Sequence, residues 1–141
     1  MVKLARIALL LCLPLLAGCA LPESKGKEEA EAPPVRLLLY GGGDHGTYLG
    51  CLTCMDTDPE SVHNPDGDFG SRLSPTSILN SFSDWGSRLS NYSVCNPLAT
   101  EPPLVMDEAR ASHGRLTVNR YNPQAYHNDD IQRWLETEVC R

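Results

Sequence analysis

The sequence predicts a small α+β domain: an antiparallel sheet of about four strands from two hairpins, short helical turns in a three-unit repeat, and one C-terminal helix. Three observations lead to this class. Apolar, β-like runs occur in two pairs, and turn-forming residues separate the members of each pair. A phrase with a period of 16 residues fills the middle of the chain. The last stretch has apolar residues at helical spacing.

The four predicted strands flank the repeats. Residues 35–40 form an apolar run that ends at three glycines, and residues 47–54 form the second run of the same hairpin. Residues 104–107 and 114–121 form the second hairpin around a polar turn. Because an isolated two-stranded hairpin is only marginally stable, we expect the two hairpins to pair into one sheet.

A three-unit repeat occupies residues 58–98, and each unit begins with a signal for a helix N-terminus. Asp58, Ser74 and Ser90 carry short side-chain oxygens that cap orphan backbone N–H groups. Pro59 and Pro75 suit the first helical position. Pro65 and Pro97 push the residues before them out of the helical region, so each unit predicts only a turn or two of helix.

The repeated apolar and basic positions allow two interpretations. The first is a common core, because an apolar residue that recurs at a fixed position usually packs. Its members are Val62, Phe69, Leu73, Ile78, Trp85, Leu89 and Val94. The second is a contact surface, because arginine beside an aromatic ring can hold carboxylate, phosphate or sugar. Its members are Arg72, Trp85, Arg88 and Tyr92.

The last predicted element is a helix capped by Asn128 or Asp129. Its apolar residues Ile131, Leu135 and Val139 recur at helical spacing, so we expect this helix to pack on the sheet.

The N-terminus has the composition of a signal peptide over residues 1–18. Lys3 and Arg6 precede an apolar run that is too short for a lasting transmembrane anchor. The run ends in Leu-Ala-Gly before Cys19, which resembles the lipobox of bacterial lipoproteins. The resemblance implies cleavage before Cys19 and acylation of Cys19, and several acyl chains give firm membrane attachment. Ala20, in place of aspartate, implies sorting to the outer membrane of the cell envelope.

Composition divides the rest of the chain. Residues 19–34 are charged and proline-rich without an apolar period, which predicts a flexible tether behind the lipidated cysteine. Residues 35–141 are enough for a single domain.

The whole chain has 12 basic and 18 acidic residues, and loss of Lys3 and Arg6 leaves 10 against 18, a net charge of −8. This charge argues against nucleic acid as a partner and against electrostatic docking on anionic lipid.

The repeat phrase also resembles that of a known group. Units of Ser-Ile/Val-x-Asn, followed by an aromatic residue and Gly-Ser-x-Leu-Ser, are similar to repeats in uncharacterised bacterial secreted proteins. The resemblance covers residues 37–121 and implies an exported protein, but no activity or catalytic residue. Leu73 and Leu89 stand where that group usually has tyrosine.

Four cysteines, Cys51, Cys54, Cys95 and Cys140, remain after Cys12 leaves with the signal peptide and Cys19 takes the lipid. An exported chain with four thiols predicts two disulfide bonds. If residues 47–54 are extended, the Cα atoms of Cys51 and Cys54 lie about 10 Å apart, whereas a disulfide needs less than about 7 Å. We therefore expect each of them to pair with Cys95 or Cys140, in either order.

Two functions remain open at this point. The sequence lacks a recognisable catalytic motif, which favours a non-enzymatic structural or binding module with no cofactor and an envelope protein or glycan as partner. The alternative is a zinc or thiol-redox protein. Cys51 and Cys54, with His63 or Cys95, have ligand types that suit tetrahedral zinc.

Overall fold

The computed structural model describes residues 34–141. The predicted signal peptide, Cys19 and all but the last residue of the predicted tether lie outside this part of the chain.

The described domain contains one four-stranded sheet. Its strands are β1 (Leu37–Gly41), β2 (Thr47–Cys51), β3 (Leu104–Asp107) and β4 (Ser112–Arg115). They lie in the order β2-β1-β3-β4, and every neighbouring pair is antiparallel. The central pairing of β1 with β3 joins the two hairpins, as the sequence predicts. The fold is therefore a small α+β fold with one C-terminal helix.

Two strands end earlier than the sequence suggests. Gly50 has φ +102° at a register shift between β1 and β2. Cys51 then pairs with Leu38 of β1, while its N–H donates to the carbonyl of Glu60 at 2.7 Å. Gly114 has φ +115°, and Arg115 then pairs in parallel with Ala125. In both places a glycine with positive φ redirects the chain toward a partner outside the sheet.

Residues 58–99 form a series of hydrogen-bonded turns in place of the short helical turns expected there. Along this segment, one backbone N–H after another donates to the carbonyl oxygen three residues earlier. Examples are Ser77 to Ser74 and Asn80 to Ser77. One step in each of the first two units spans four residues, from Ser71 to Gly67 and from Ser87 to Ser83. Four steps of three residues and one of four make the 16-residue period.

Short polar side chains begin nearly every turn of this turn series. Each accepts a hydrogen bond from the backbone N–H two residues later, which mimics a backbone turn and competes with helix formation. The prolines fit as well, because φ near −65° suits the second position of such a turn. The side chains that act in this way are Asp58, Ser61, Asn64, Ser71, Ser74, Ser77, Asn80, Ser83, Ser87, Ser90, Ser93 and Asn96.

The core lies between the sheet and the turn series. Val62, Ile78 and Val94 are fully buried, and they pack with the inward residues of the strands, such as Leu39 and Val105. This confirms the packing role of the repeated valine and isoleucine position. The partly buried rings of Phe69 and Trp85 pack against the same core.

Leu73 and Leu89 do not belong to this core, and their expected packing role is wrong. Their exposed fractions are 90% and 91%. Each is the third residue of a turn whose first serine accepts from the leucine N–H, which places the leucine at the turn tip.

The C-terminal helix begins where the sequence predicts. Asn128 is the N-cap and accepts from two backbone N–H groups of α1 (Asp129–Trp134). A single π-helical segment, Leu135–Val139, follows directly. Leu135 and Val139 are buried and belong to the core cluster, so the end of the chain packs against the core.

Both disulfide bonds form, but their pairing differs from the expected one. Cys51 is bonded to Cys54, with Cα atoms 5.5 Å apart, and Cys95 to Cys140, with Cα atoms 5.2 Å apart. The expectation fails because the chain is not extended beyond Cys51. Residues 52–54 form a bend, and the hydroxyl of Thr53 donates to the carbonyl of Val35 at 2.9 Å, which holds this bend beside the start of β1.

Candidate functional site

The arginines of the first two repeat units bind the end of the chain. Arg72 Nη2 donates to the carbonyl oxygen of Glu138 at 2.8 Å, and Arg88 Nη2 donates to that of Cys140. Carbonyls at the end of a helix lack partners within it, and cations there also interact favourably with the helix dipole. Two equivalent repeat positions therefore fasten the C-terminal segment to the turn series.

Arg72 and Arg88 differ from most other described arginines in their charge environment. Five arginines form ion pairs with carboxylates, namely Arg36, Arg115, Arg120, Arg133 and Arg141. Arg72 and Arg88 form no ion pair with any residue between 34 and 141 and bind only backbone carbonyls. Neither guanidinium therefore has a carboxylate partner in this part of the chain.

Three large apolar side chains project beside these arginines. Leu73, Phe82 and Leu89 expose 90%, 96% and 91% of their surface. One concavity of about 480 Å³ is lined by Leu73 and Phe82, and a second of about 240 Å³ by Leu89. Both share Ser81, Val139 and Arg141, so they adjoin. We call this surface the arginine–leucine face, and its residues are Arg72, Leu73, Phe82, Arg88, Leu89 and Arg141.

Trp85 and Tyr92, the aromatic half of the expected contact surface, do not belong to the arginine–leucine face. The rings of Trp85 and Tyr92 have their centroids 6.2 Å apart. Trp85 packs so closely over Gly41 that a Cβ added there would lie 2.8 Å from Cε3 of the indole. Trp85 therefore helps to close the core, whereas Arg72 and Arg88 hold the C-terminal segment.

The residues of the alternative zinc site are engaged in other contacts. Cys51 and Cys95 are each in a disulfide bond, Cys54 with Cys51 and Cys95 with Cys140. His63 Nε2 lies 2.9 Å from the carbonyl oxygen of Leu52, and its ring is 4.5 Å from that of Trp134. Within residues 34–141, no group of three or more His, Cys, Asp or Glu side chains is arranged to hold a metal ion. Zinc or thiol chemistry at Cys51 and Cys54 requires reduction of their bond first.

Two carboxylates with perturbed pKa values lie in structural contacts. Arg120 donates twice to Glu136, and Gln132 donates once, which together lower the pKa of Glu136 to about 2. His113 and the backbone N–H of Ala111 lower the pKa of Asp107. Each carboxylate fastens a turn or helix to its neighbour, and these contacts account for the shifts without a catalytic role.

No protein-family model, no curated protein and no solved structure matches this chain. Among residues 34–141, none of the helices has the length and apolar character needed to cross a membrane.

The sequence missed four of the six members of the arginine–leucine face. Phe82 lies outside the shared part of the repeat, and Arg141 lies far from the repeat along the chain. Leu73 and Leu89 recur in the repeat, and this recurrence favours a core position. The available signal for a turn tip is that each leucine follows a serine by two residues, because that serine accepts from the leucine N–H.

Proposed function

We propose that this protein is a lipid-anchored component of the bacterial envelope, held through Cys19 at the outer membrane, and that its domain is a non-enzymatic binding module. The resemblance to a lipobox that ends at Cys19 supports the anchor, and the arginine–leucine face supports the binding role. Exposed apolar side chains that cluster beside arginines are typical of interaction surfaces, whereas singly scattered ones need no explanation. The Cys95–Cys140 bond and two arginines hold the C-terminal segment beside this face.

Photocrosslinking in intact cells tests the binding role. A photoreactive phenylalanine analogue replaces Phe82 in one variant and Tyr121 in a matched control. Both native rings are 96% exposed, and Tyr121 lines neither concavity. Discrete crosslinked adducts at position 82, absent at position 121, support the proposal. Equal or absent crosslinking at both positions contradicts it.

The alternative function, zinc binding or thiol-redox chemistry at Cys51 and Cys54, makes a different prediction. It requires that the two sulfurs are reduced in the native envelope and so react with an alkylating reagent before any reductant is added. Alkylation of both cysteines, or zinc at one equivalent per chain, supports the alternative. Oxidised cysteines and no zinc favour the binding module.

A further inference from the structure

We infer that the arginine–leucine face docks on the surface of a bilayer that contains anionic phospholipid. In this arrangement Leu73, Phe82 and Leu89 enter the headgroup region, and the arginines contact lipid phosphates. The inference rests on the proposed function, because the lipid on Cys19 is what brings the domain to the bilayer. It adds the chemical identity of the ligand: an anionic membrane surface.

The distribution of charge supports this ligand, although the net charge alone argues against it. Residues 34–141 contain eight arginines, no lysine and fourteen carboxylates. No Asp or Glu lines either concavity of the face, whereas Arg72, Arg88 and Arg141 do. Of these three arginines, only Arg141 pairs with a carboxylate of residues 34–141, that of Glu138 at 2.9 Å. An acidic domain with a cationic face orients in the field of an anionic membrane, because its remaining surface is repelled.

The shape of the apolar part also suits a bilayer. Leu73 and Leu89 stand at the tips of turns, and each exposes about nine-tenths of its surface. Side chains that project in this way enter a fluid interface without a preformed pocket. Arginine favours this position as well, because its aliphatic stem lies along apolar surface while the guanidinium reaches the phosphates.

The predicted anchor makes even weak docking effective. Val35 lies sixteen positions after Cys19, so the covalent path between them is at most about 58 Å long. A binding surface held so near its target experiences an effective concentration on the order of millimolar. The face then needs to supply only a small part of the total membrane affinity.

Tryptophan quenching in vesicles tests the inference. The mature lipidated protein is reconstituted in vesicles with brominated acyl chains, made of phosphatidylcholine with or without phosphatidylglycerol. Phe82→Trp is the reporter, and Tyr121→Trp is the control at an equally exposed ring. The emission of native Trp85 and Trp134 is subtracted with the unsubstituted protein.

We expect stronger quenching at position 82 in vesicles with phosphatidylglycerol, weaker quenching in high salt, and no lipid dependence at position 121. Removal of one positive charge by Arg141→Gln, in the Phe82→Trp background, lowers the ratio of docked to undocked protein about fivefold. Arg141 is exposed and pairs only with Glu138, so this change leaves the fold intact.

Quenching at position 82 that does not depend on phosphatidylglycerol, or that equals that at position 121, overturns the inference. An emission shift that grows with protein density but shows no quenching means that a second copy covers the face, which also overturns it. Flotation with the vesicles separates this failure from failure of the proposed function. Protein that does not float lacks its anchor, whereas protein that floats without docking keeps the anchor and has another ligand.

Discussion

Gly86 occupies a position where the turn series leaves no room for a side chain. A Cβ at this residue would lie 2.5 Å from the carbonyl oxygen of Ile78 and would also meet that of Asn80. Both atoms belong to the backbone and cannot move aside without opening a turn. Gly70, sixteen residues earlier, meets the backbone of Asn64 in the same way. The glycine of the repeated Gly-Ser-Arg-Leu-Ser is therefore set by close packing.

The first prediction concerns this glycine. We expect Gly86→Ala to lower the free energy of unfolding by about 1–3 kcal/mol, because an overpacked site forces the backbone to shift. Gly43→Ala is the matched control, since a Cβ there meets nothing within 4 Å. Chemical denaturation measures both. Equal stability of the two variants would show that the turns are not packed as described.

At the scale of elements, the helix was predicted and the turns were not, for a physical reason. Asn128 or Asp129 before a stretch with helical periodicity places the start of the helix within one residue, and Asn128 is the N-cap. Ser74 followed by Pro75 is ambiguous. The serine oxygen accepts a backbone N–H in a helix cap and in a β-turn alike, and the φ of proline suits both. The polar residues that follow decide for turns, because the side chains of Ser77 and Asn80 each accept from the backbone N–H two residues later.

The second prediction concerns the contact that fastens the C-terminal helix. Arg120 and Gln132 lower the pKa of Glu136 from its ordinary 4.5 to about 2. A carboxylate with a depressed folded-state pKa stabilises the fold above its unfolded pKa and loses this effect as the pH falls toward the folded value. We expect the native protein to be more stable than Glu136→Gln at pH 7. The difference should shrink between about pH 5 and pH 2.

Melting temperatures measured across this pH range test the prediction. Glu138→Gln is a suitable comparison, because Glu138 pairs with Arg141 on the exposed surface. A stability difference between native protein and Glu136→Gln that stays constant down to pH 2 would contradict the assignment.

At the scale of the whole molecule, the two disulfide bonds have different tasks. Cys95–Cys140 closes a span of 45 residues and joins the end of the chain to the turn series, whereas Cys51–Cys54 closes a span of 3. The arginine–leucine face depends on the Cys95–Cys140 bond, because Val139 and Cys140 line one of its two concavities. The sequence indicated two bonds but not their pairing, since the pairing depends on where β2 ends.

The third prediction follows from these loop lengths. In the chain-entropy description, loss of Cys95–Cys140 costs roughly 4 kcal/mol and loss of Cys51–Cys54 roughly 2 kcal/mol. The double variants Cys95→Ala/Cys140→Ala and Cys51→Ala/Cys54→Ala are matched in chemistry, and thermal unfolding compares them. A larger loss from the Cys51–Cys54 pair would contradict the proposed division of tasks.

Mass spectrometry of the protein isolated from its own envelope tests the account most directly. The intact mass, with peptide mapping before and after reduction, reports the N-terminus, the acyl groups and the disulfide pairing in one experiment. We predict that the chain begins at Cys19, that Cys19 carries acyl groups, and that the bonds are Cys51–Cys54 and Cys95–Cys140. An unacylated chain that begins elsewhere would contradict the proposal of a membrane-anchored binding module.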